Sequence, residues 1–148
     1  MVKPRLVFLS IAGPKDEQLY LEIIDPKEKH LLARYQYLGE LSLDVINDLV
    51  NDGERTSNDC FLGLLGVEED ISTYAFYSNT KVKFILAVKA PDYVVKETEI
   101  RQLLRRIYTI HTHAVCNPFS MDLTPETLKT SIYFKESLHQ LISDWNIH

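Results

Sequence analysis

Residues 72–91 carry the feature that most constrains the fold of this chain. Two runs rich in aromatic and β-branched side chains flank the dipeptide Asn79-Thr80 in the sequence STYAFYSNTKVKFILAVKAP. Such runs favour strands, and a short connection allows them to pair only as an antiparallel hairpin. Two further apolar runs, 5–12 and 18–24, are separated by the turn sequence GPKDE and predict a second hairpin. The chain is therefore expected to form an antiparallel sheet.

Three other segments repeat their apolar side chains every three or four residues, which predicts helices. They are residues 31–51, residues 96–116 and a segment after Thr124-Pro125, where threonine is an N-cap and proline the first helical residue. The inner face of the second helix contains Ile100, Leu103, Leu104, Ile107, His111 and Ala114. The stripe of the third contains Phe134, Leu138, Leu141 and Trp145.

One more strand is expected within CFLGLLGVEED (60–70), whose two glycines favour a bulge or a close backbone approach. The predicted order is β-β-α-β-β-β-α-α. The economical packing of these elements is an α+β fold, with one five-stranded antiparallel sheet and helices covering both faces. The length of 148 residues favours a single domain spanning residues 1–148.

The first helix has an apolar surface too wide for one buried stripe. The core-facing arc is predicted to contain Leu38, Leu41, Val45 and Leu49, and the apolar region extends beyond it through Leu43, Ile46 and Val50. The whole arc spans roughly 200°, whereas a surface helix needs about 100°. Either a second layer of the same protein or another chain must cover the excess. Asp44, near Glu40 and Asn47, lies on the opposite flank of the core stripe, where a solvated carboxylate is the simplest interpretation.

Charge and composition exclude several classes of function. The net charge of −5 argues against a dedicated nucleic-acid binder and gives no general attraction to anionic lipids. No apolar run reaches the roughly 18 residues of a membrane-spanning helix. The two cysteines do not form a disulfide framework, so a reducing, cytosolic compartment is expected.

The segment TIHTHAVCNPFS (109–120) contains the residues best suited to chemistry. His113 and Cys116 are three positions apart and share a helix face, but His111 is rotated by about 160° from His113 and points toward the core stripe. The three side chains cannot converge on a metal from one regular helix. Pro118 and Asn117 instead indicate the end of that helix, with Cys116 as an unreactive thiol.

No cofactor site is predicted. The sequence GLLG (63–66) lacks the spacing of a phosphate-binding loop, and the acidic run 68–70 lacks the spacing of a calcium loop. Arg101, Arg105 and Arg106 form a basic patch on the second helix, which is interpreted as a solvated face or as a contact for an acidic partner or lipid headgroups.

Five segments in one order carry a resemblance to a known family. They are LSLDVINDLV (41–50), FLGLLGVEED (61–70), YAFYSNTKVKFILAV (74–88), EIRQLLRRIY (99–108) and VCNPF (115–119). Together they resemble the sedlin family of subunits of TRAPP, a vesicle-tethering complex that also activates Rab GTPases. YSNTKVKF, and EIR followed by CNPF, resemble the "subunit 2-like" branch most closely. Ser120 and the segment MDLTPETLKTSIYF depart from the family pattern.

The resemblance implies a longin-like fold, which agrees with the order derived above, and a non-catalytic role without cofactor or metal. Such a subunit helps larger, complex-specific subunits join the small subunits of a Rab-activating core, and meets the Rab GTPase only through the assembled complex. It implies a cytoplasmic protein in ER-to-Golgi or Golgi transport, with peripheral and indirect membrane association. The family links the SLD aspartate, here Asp44, with partner binding, and the expected interface adds Leu43, Ile46 and Asn47.

Two alternatives remain. A longin module of an adaptor or a SNARE regulator would share the fold, although a longin SNARE is expected to continue into a heptad coiled coil and none follows before His148. A small thiol or metal enzyme would use Cys116 and His113.

Overall fold

The computed structural model describes residues 5–13, 15–24, 30–51, 61–68, 71–78, 81–89, 97–115 and 132–147. Over these residues the elements are β1 (Arg5–Ala12), β2 (Gln18–Ile23), α1 (Leu32–Asn51), β3 (Phe61–Glu68), β4 (Ile71–Tyr77), β5 (Lys83–Lys89), α2 (Glu97–Val115) and α3 (Ile132–Ile147). The predicted order of strands and helices is confirmed. The predicted N-cap at Thr124-Pro125 and the helix stop at Cys116–Phe119 lie outside the described residues.

The five strands form one antiparallel sheet in the order β2-β1-β5-β4-β3. The two predicted hairpins are present, as β1–β2 and β4–β5. They are joined through β1 and β5, which pair from Arg5↔Lys89 to Ala12↔Lys83. The strands on either side of α1 in the sequence, β2 and β3, therefore lie at opposite edges of the sheet.

Side chains alternate between two cores because successive residues of a strand point to opposite faces. One face is covered by α2 and α3, which contact each other. Its core contains Leu9, Ile11, Phe84, Leu86, Ile100, Leu104, Ile107, Phe134 and Leu138, among others. Tyr20 packs edge-on against Phe134 with ring centroids 5.0 Å apart, so that strand β2 also contacts α3.

Among the described elements, α1 is the one that covers the other face. Its core contains Val7, Phe8, Ile23, Tyr35, Ile46, Ile71, Ala75, Ile85 and Ala87. The rings of Phe8 and Tyr35 stack at 5.6 Å. A Cβ built on Gly39 would lie 3.4 Å from the tip of the Phe8 ring, so this glycine marks the close approach of α1 to the sheet. Shallow clefts lie on both sides of α1, one toward β3 and one toward the β1–β2 hairpin.

The β1–β2 turn is fastened to both the sheet and α1 through one carboxylate. Asp16 adopts a φ of 62° and accepts hydrogen bonds from Nζ of Lys83 in β5 and from Nδ2 of Asn47 in α1, the latter at 2.9 Å. Burial opposes the charged carboxylate, but these hydrogen bonds outweigh it and lower the pKa of Asp16. The Lys83 side chain is 6% exposed, so Asp16 neutralises a cation that lies inside the protein.

Candidate protein-interaction surface

Helix α1 contacts the sheet with a different side from the one predicted. Its buried side chains are Tyr35, Ser42 and Ile46, and Ile46 is 0% exposed. The expectation that Leu41, Val45 and Leu49 fill the core was wrong, because all three are exposed. The apolar arc of roughly 200° is real, but the sheet covers the half that contains Ile46 and leaves the other half in solvent.

The exposed half forms a continuous line of apolar side chains, here called the α1 ridge. It consists of Tyr37, Leu41, Val45 and Leu49, which are between 38% and 63% exposed. Residues four positions apart are neighbours along a helix surface, so these four make one row about three turns long. Single exposed apolar side chains are common on proteins, whereas a contiguous row on one element indicates an interaction site.

The α1 ridge continues onto the edge strand β3. Val67 of this strand is 61% exposed. A shallow groove of about 170 Å³ runs between the helix and the strand. Its lining is Leu38, Leu41, Ser42, Val45, Leu65, Gly66, Val67 and Thr73. Helix and strand thus present a single apolar surface rather than two separate patches.

The local shape of β3 follows from its glycines. The β3–β4 register shifts between Phe61 and Gly63 and again between Leu64 and Gly66, and Gly63 has a φ of 84°. These are the irregularities that the sequence GLLG predicted. Bulges in an edge strand twist it and interrupt its row of free hydrogen-bonding groups. This edge is therefore suited to side-chain contacts more than to the addition of a regular strand.

A row of carboxylates borders the α1 ridge and is here called the acidic row. It consists of Glu40, Asp44 and Asp48, all exposed. Each lies three positions after a ridge residue, so each is its neighbour on the helix surface. Within the described part of the chain, no hydrogen bond or ion pair is formed by these three carboxylates. The surface is apolar along its length and anionic along one side.

The four predicted partner-binding residues occupy different environments. Asp44 is exposed and belongs to the acidic row beside the α1 ridge. Leu43 is half-buried beside a cleft near the β1–β2 hairpin, and Asn47 is half-buried and hydrogen-bonded to Asp16. Ile46 belongs to the core, so its side chain has no surface to offer a partner. The sequence correctly predicted that α1 carries excess apolar surface. It did not predict that the α1 ridge is the exposed part of that surface.

The two histidines of α2 lie in different surroundings. His111 is 6% exposed and its ring contacts Phe84 and Phe134, as the helical periodicity predicted. His113 is exposed. Burial lowers the pKa of His111 to about 4, so its ring is neutral at physiological pH. Its Nε2 has no hydrogen-bond partner among the residues described here. Cys116 lies outside those residues.

The predicted basic patch on α2 is divided. Arg101 lies over the Phe61 ring at 5.0 Å, and Arg106 lines a cleft between α2 and α3 with Leu103 and Trp145. Arg105 and Arg106 are exposed, whereas Arg101 is half-buried. The three arginines therefore lie in different surroundings on α2.

The described part of the chain contains no group of three His, Cys, Asp or Glu side chains arranged to hold a metal ion. None of its helices is long and apolar enough to span a bilayer.

A five-stranded antiparallel sheet with one helix on one face and two on the other defines a longin-like α+β protein, as the sequence predicted. Residues 11–144 match the sequence model of the sedlin family. The chain therefore belongs to the sedlin family, and the resemblance noted in the sequence is confirmed.

Curated relatives agree with this assignment. The chain is 29% identical over 116 residues to "Trafficking protein particle complex subunit 2-like protein" of Bos taurus, an alignment that covers 76% of this chain and 81% of the relative. Identity to the protein of the same name from Rattus norvegicus is 28% over the same shares. The Dictyostelium discoideum protein is 28% identical over 120 residues, covering 78% of this chain and 82% of the relative.

Proposed function

We propose that this chain is a non-catalytic subunit or assembly factor of a TRAPP vesicle-tethering complex, acting as a single domain. The observation that carries the proposal is the family match over residues 11–144, supported by relatives named as TRAPP subunit 2-like proteins. The chain would act in ER-to-Golgi or Golgi transport from the cytoplasm, with membrane contact made indirectly through the complex. It would help larger subunits join the small-subunit core and affect a Rab GTPase only through that assembly.

The docking surface in this proposal is the α1 ridge with the adjoining groove and edge of β3. The exposed apolar row and the anionic border of α1 support this choice. Burying apolar side chains on association is favourable by about 25 cal/mol per Å² before the cost of ordering, so a row of four large side chains is a suitable anchor. Asp44 is proposed to contact the same partner, because it borders the α1 ridge. Leu43 and Asn47 belong to the hairpin side of α1 and are proposed as contacts with a second neighbour in the complex.

Affinity purification followed by mass spectrometry tests the function. Tagged wild-type chain should recover TRAPP subunits, and Asp44→Ala should reduce their recovery while leaving thermal melting close to that of wild type, because an exposed carboxylate contributes little to stability. Glu136→Ala is the matched control: it removes an exposed helix carboxylate from α3, on the other face of the sheet. The proposal fails if wild-type chain recovers no TRAPP subunit.

A melting temperature lowered by many degrees in Asp44→Ala would instead assign this residue a structural role. Equal recovery with Asp44→Ala and Glu136→Ala would remove Asp44 from the interface without affecting the proposed function.

A further inference from the structure

The α1 ridge and the acidic row also indicate what kind of surface they meet. We propose that the partner of this surface is a different protein carrying Lys or Arg side chains beside an apolar stripe, and that the acidic row prevents two copies of this chain from pairing through α1. This inference rests on the proposed function, because it names the partner chemistry of the same surface.

The distribution of charge on α1 supports a partner with basic side chains. The acidic row contributes three carboxylates within about two turns, and the only basic residue of α1 is Arg34, near its first turn. The groove beside the ridge is lined by apolar side chains, a glycine, a serine and a threonine, so it supplies no cation. A partner that covers the ridge must bring its own positive charge to the border, since carboxylates that lose water without a counter-charge oppose binding.

The same charge opposes self-association through α1. In an antiparallel two-fold contact, ridge-to-ridge pairing would bring the two acidic rows against each other. In a parallel two-fold contact, each acidic row would instead border the groove of the other copy, whose lining supplies no cation. Like charges facing each other across an interface oppose association, and the net charge of −5 adds to this repulsion. The apolar ridge can therefore remain exposed without making the free chain a homodimer.

The positions of the carboxylates beside the α1 ridge also support the proposal. Asp44 is next to Leu41, and Asp48 is next to Val45, so a partner helix that packs on the ridge places its flanking residues against these carboxylates. Such pairs at the rim of an interface mainly set the choice and register of the partner, while the apolar contact supplies the affinity.

Three tagged versions of the 148-residue chain separate the contribution of the acidic row from that of the α1 ridge. The first is wild type, the second is the neutral variant Glu40→Gln/Asp44→Asn/Asp48→Asn, and the third is the ridge variant Leu41→Ser/Val45→Ser. Co-purified TRAPP subunits are quantified at about 0.15 M and about 0.5 M salt, where exposed charge pairs are screened to different extents. We expect the neutral variant to recover about tenfold less than wild type at low salt and to lose most of its salt dependence. The ridge variant should lose recovery at both salt concentrations.

The self-association part is tested by sedimentation of purified chains. Wild type should sediment as a monomer, the neutral variant should form dimers at high concentration, and adding Leu41→Ser to the neutral variant should restore the monomer. Carbodiimide, which joins carboxylates to amines without a spacer, should link the α1 peptide of wild type to a lysine of another TRAPP subunit.

The outcomes distinguish the two claims. If wild type recovers no TRAPP subunit, the proposed function itself fails. If wild type recovers them and the neutral variant recovers as much with the same salt dependence, the charge-paired partner is wrong and the function stands. A wild-type dimer linked through α1 would also overturn the inference, because the acidic row would then not prevent pairing.

Discussion

At the scale of single residues, two buried polar groups carry unusual energetic costs. His111 places an imidazole between the aromatic rings of Phe84 and Phe134, and its Nε2 has no hydrogen-bond partner in the described ranges of the chain. Lys83 places an ammonium group beneath α1, with Asp16 as its counter-ion. Neither group has a part in the proposed interaction surface, so both are best tested through the stability of the isolated chain.

Unfolding free energy should depend on pH through His111. Its pKa is about 4 in the folded chain and 6.5 as an ordinary imidazole, so between these values the unfolded chain binds more protons. Stability should therefore be complete above pH 6.5 and fall as the pH approaches 4, by about 3 kcal/mol in total. Urea denaturation at pH 7 and pH 5 measures this. His111→Phe should flatten the dependence, whereas His113→Gln, at an exposed position, should keep it; equal slopes for wild type and His111→Phe would contradict the prediction.

The two members of the Lys83–Asp16 pair should respond unequally to mutation. Asp16→Asn keeps a side chain that tolerates positive φ, but leaves the buried Lys83 ammonium without a counter-charge, so a loss of the order of 3 kcal/mol is expected. Lys83→Met replaces the buried cation by an apolar chain of similar length and leaves Asp16 partly solvated, so its loss should be smaller. Denaturant titrations of both variants give the comparison, and a larger loss for Lys83→Met would show that the ion pair itself is stabilising.

At the scale of elements, α1 shows how far the sequence determines structure. The hairpins, the order of elements and the inner faces of α2 and α3 were predictable, because in those segments polar residues clearly bound one apolar stripe. In α1 the apolar arc is about twice as wide as one contact requires, so the pattern does not say which half faces the sheet. The choice depends on fit: Gly39 allows a close approach of α1 to Phe8 that the hydrophobic pattern does not reveal. The same ambiguity hid the α1 ridge, since the apolar pattern places Leu41 and Val45 in the core.

The close approach at Gly39 leads to a prediction for α1. A Cβ there would be 3.4 Å from Phe8 and 4.0 Å from Oγ of Ser10, both ordinary contact distances. Gly39→Ala should therefore stabilise the chain by about 0.5–1 kcal/mol, because alanine loses less backbone entropy in a helix. Gly39→Val adds two methyl groups at the same place and should destabilise it. Thermal melting of both variants checks the pair, and a Gly39→Ala variant less stable than wild type would mean that α1 packs closer than described.

At the scale of the whole molecule, the two faces of the sheet differ in how they are covered. The face under α2 and α3 is closed by two helices that also contact each other, and Glu22 of β2 joins it to α3 through His139, with Glu22 Oε1 and His139 Nε2 2.7 Å apart. Among the described elements, the opposite face is covered by α1, with a shallow cleft on each side of it. In the proposed function, the surface around α1 is the one that meets other subunits.

Hydrogen–deuterium exchange should reproduce this division. In the free chain, amides of β1, β5 and β4 should exchange slowest, since each of these strands pairs on both sides, and amides of the edge strand β3 should exchange faster. In an affinity-purified TRAPP complex, peptides from α1 and β3 should gain protection while peptides from α3 change little. Protection gained by α3 instead of α1 would move the docking surface to the other face of the sheet.

The pairing of β1 with β5 also has a consequence for synthesis. Strand β1 needs β5 as its neighbour, and β2, α1, β3 and β4 are translated between them. At about 5–20 residues per second, the ribosome takes roughly 4–15 seconds to produce β5 after β1. During that interval the nascent chain exposes a strand whose side chains are nearly all apolar, and such a strand is prone to aggregation until its partner is made.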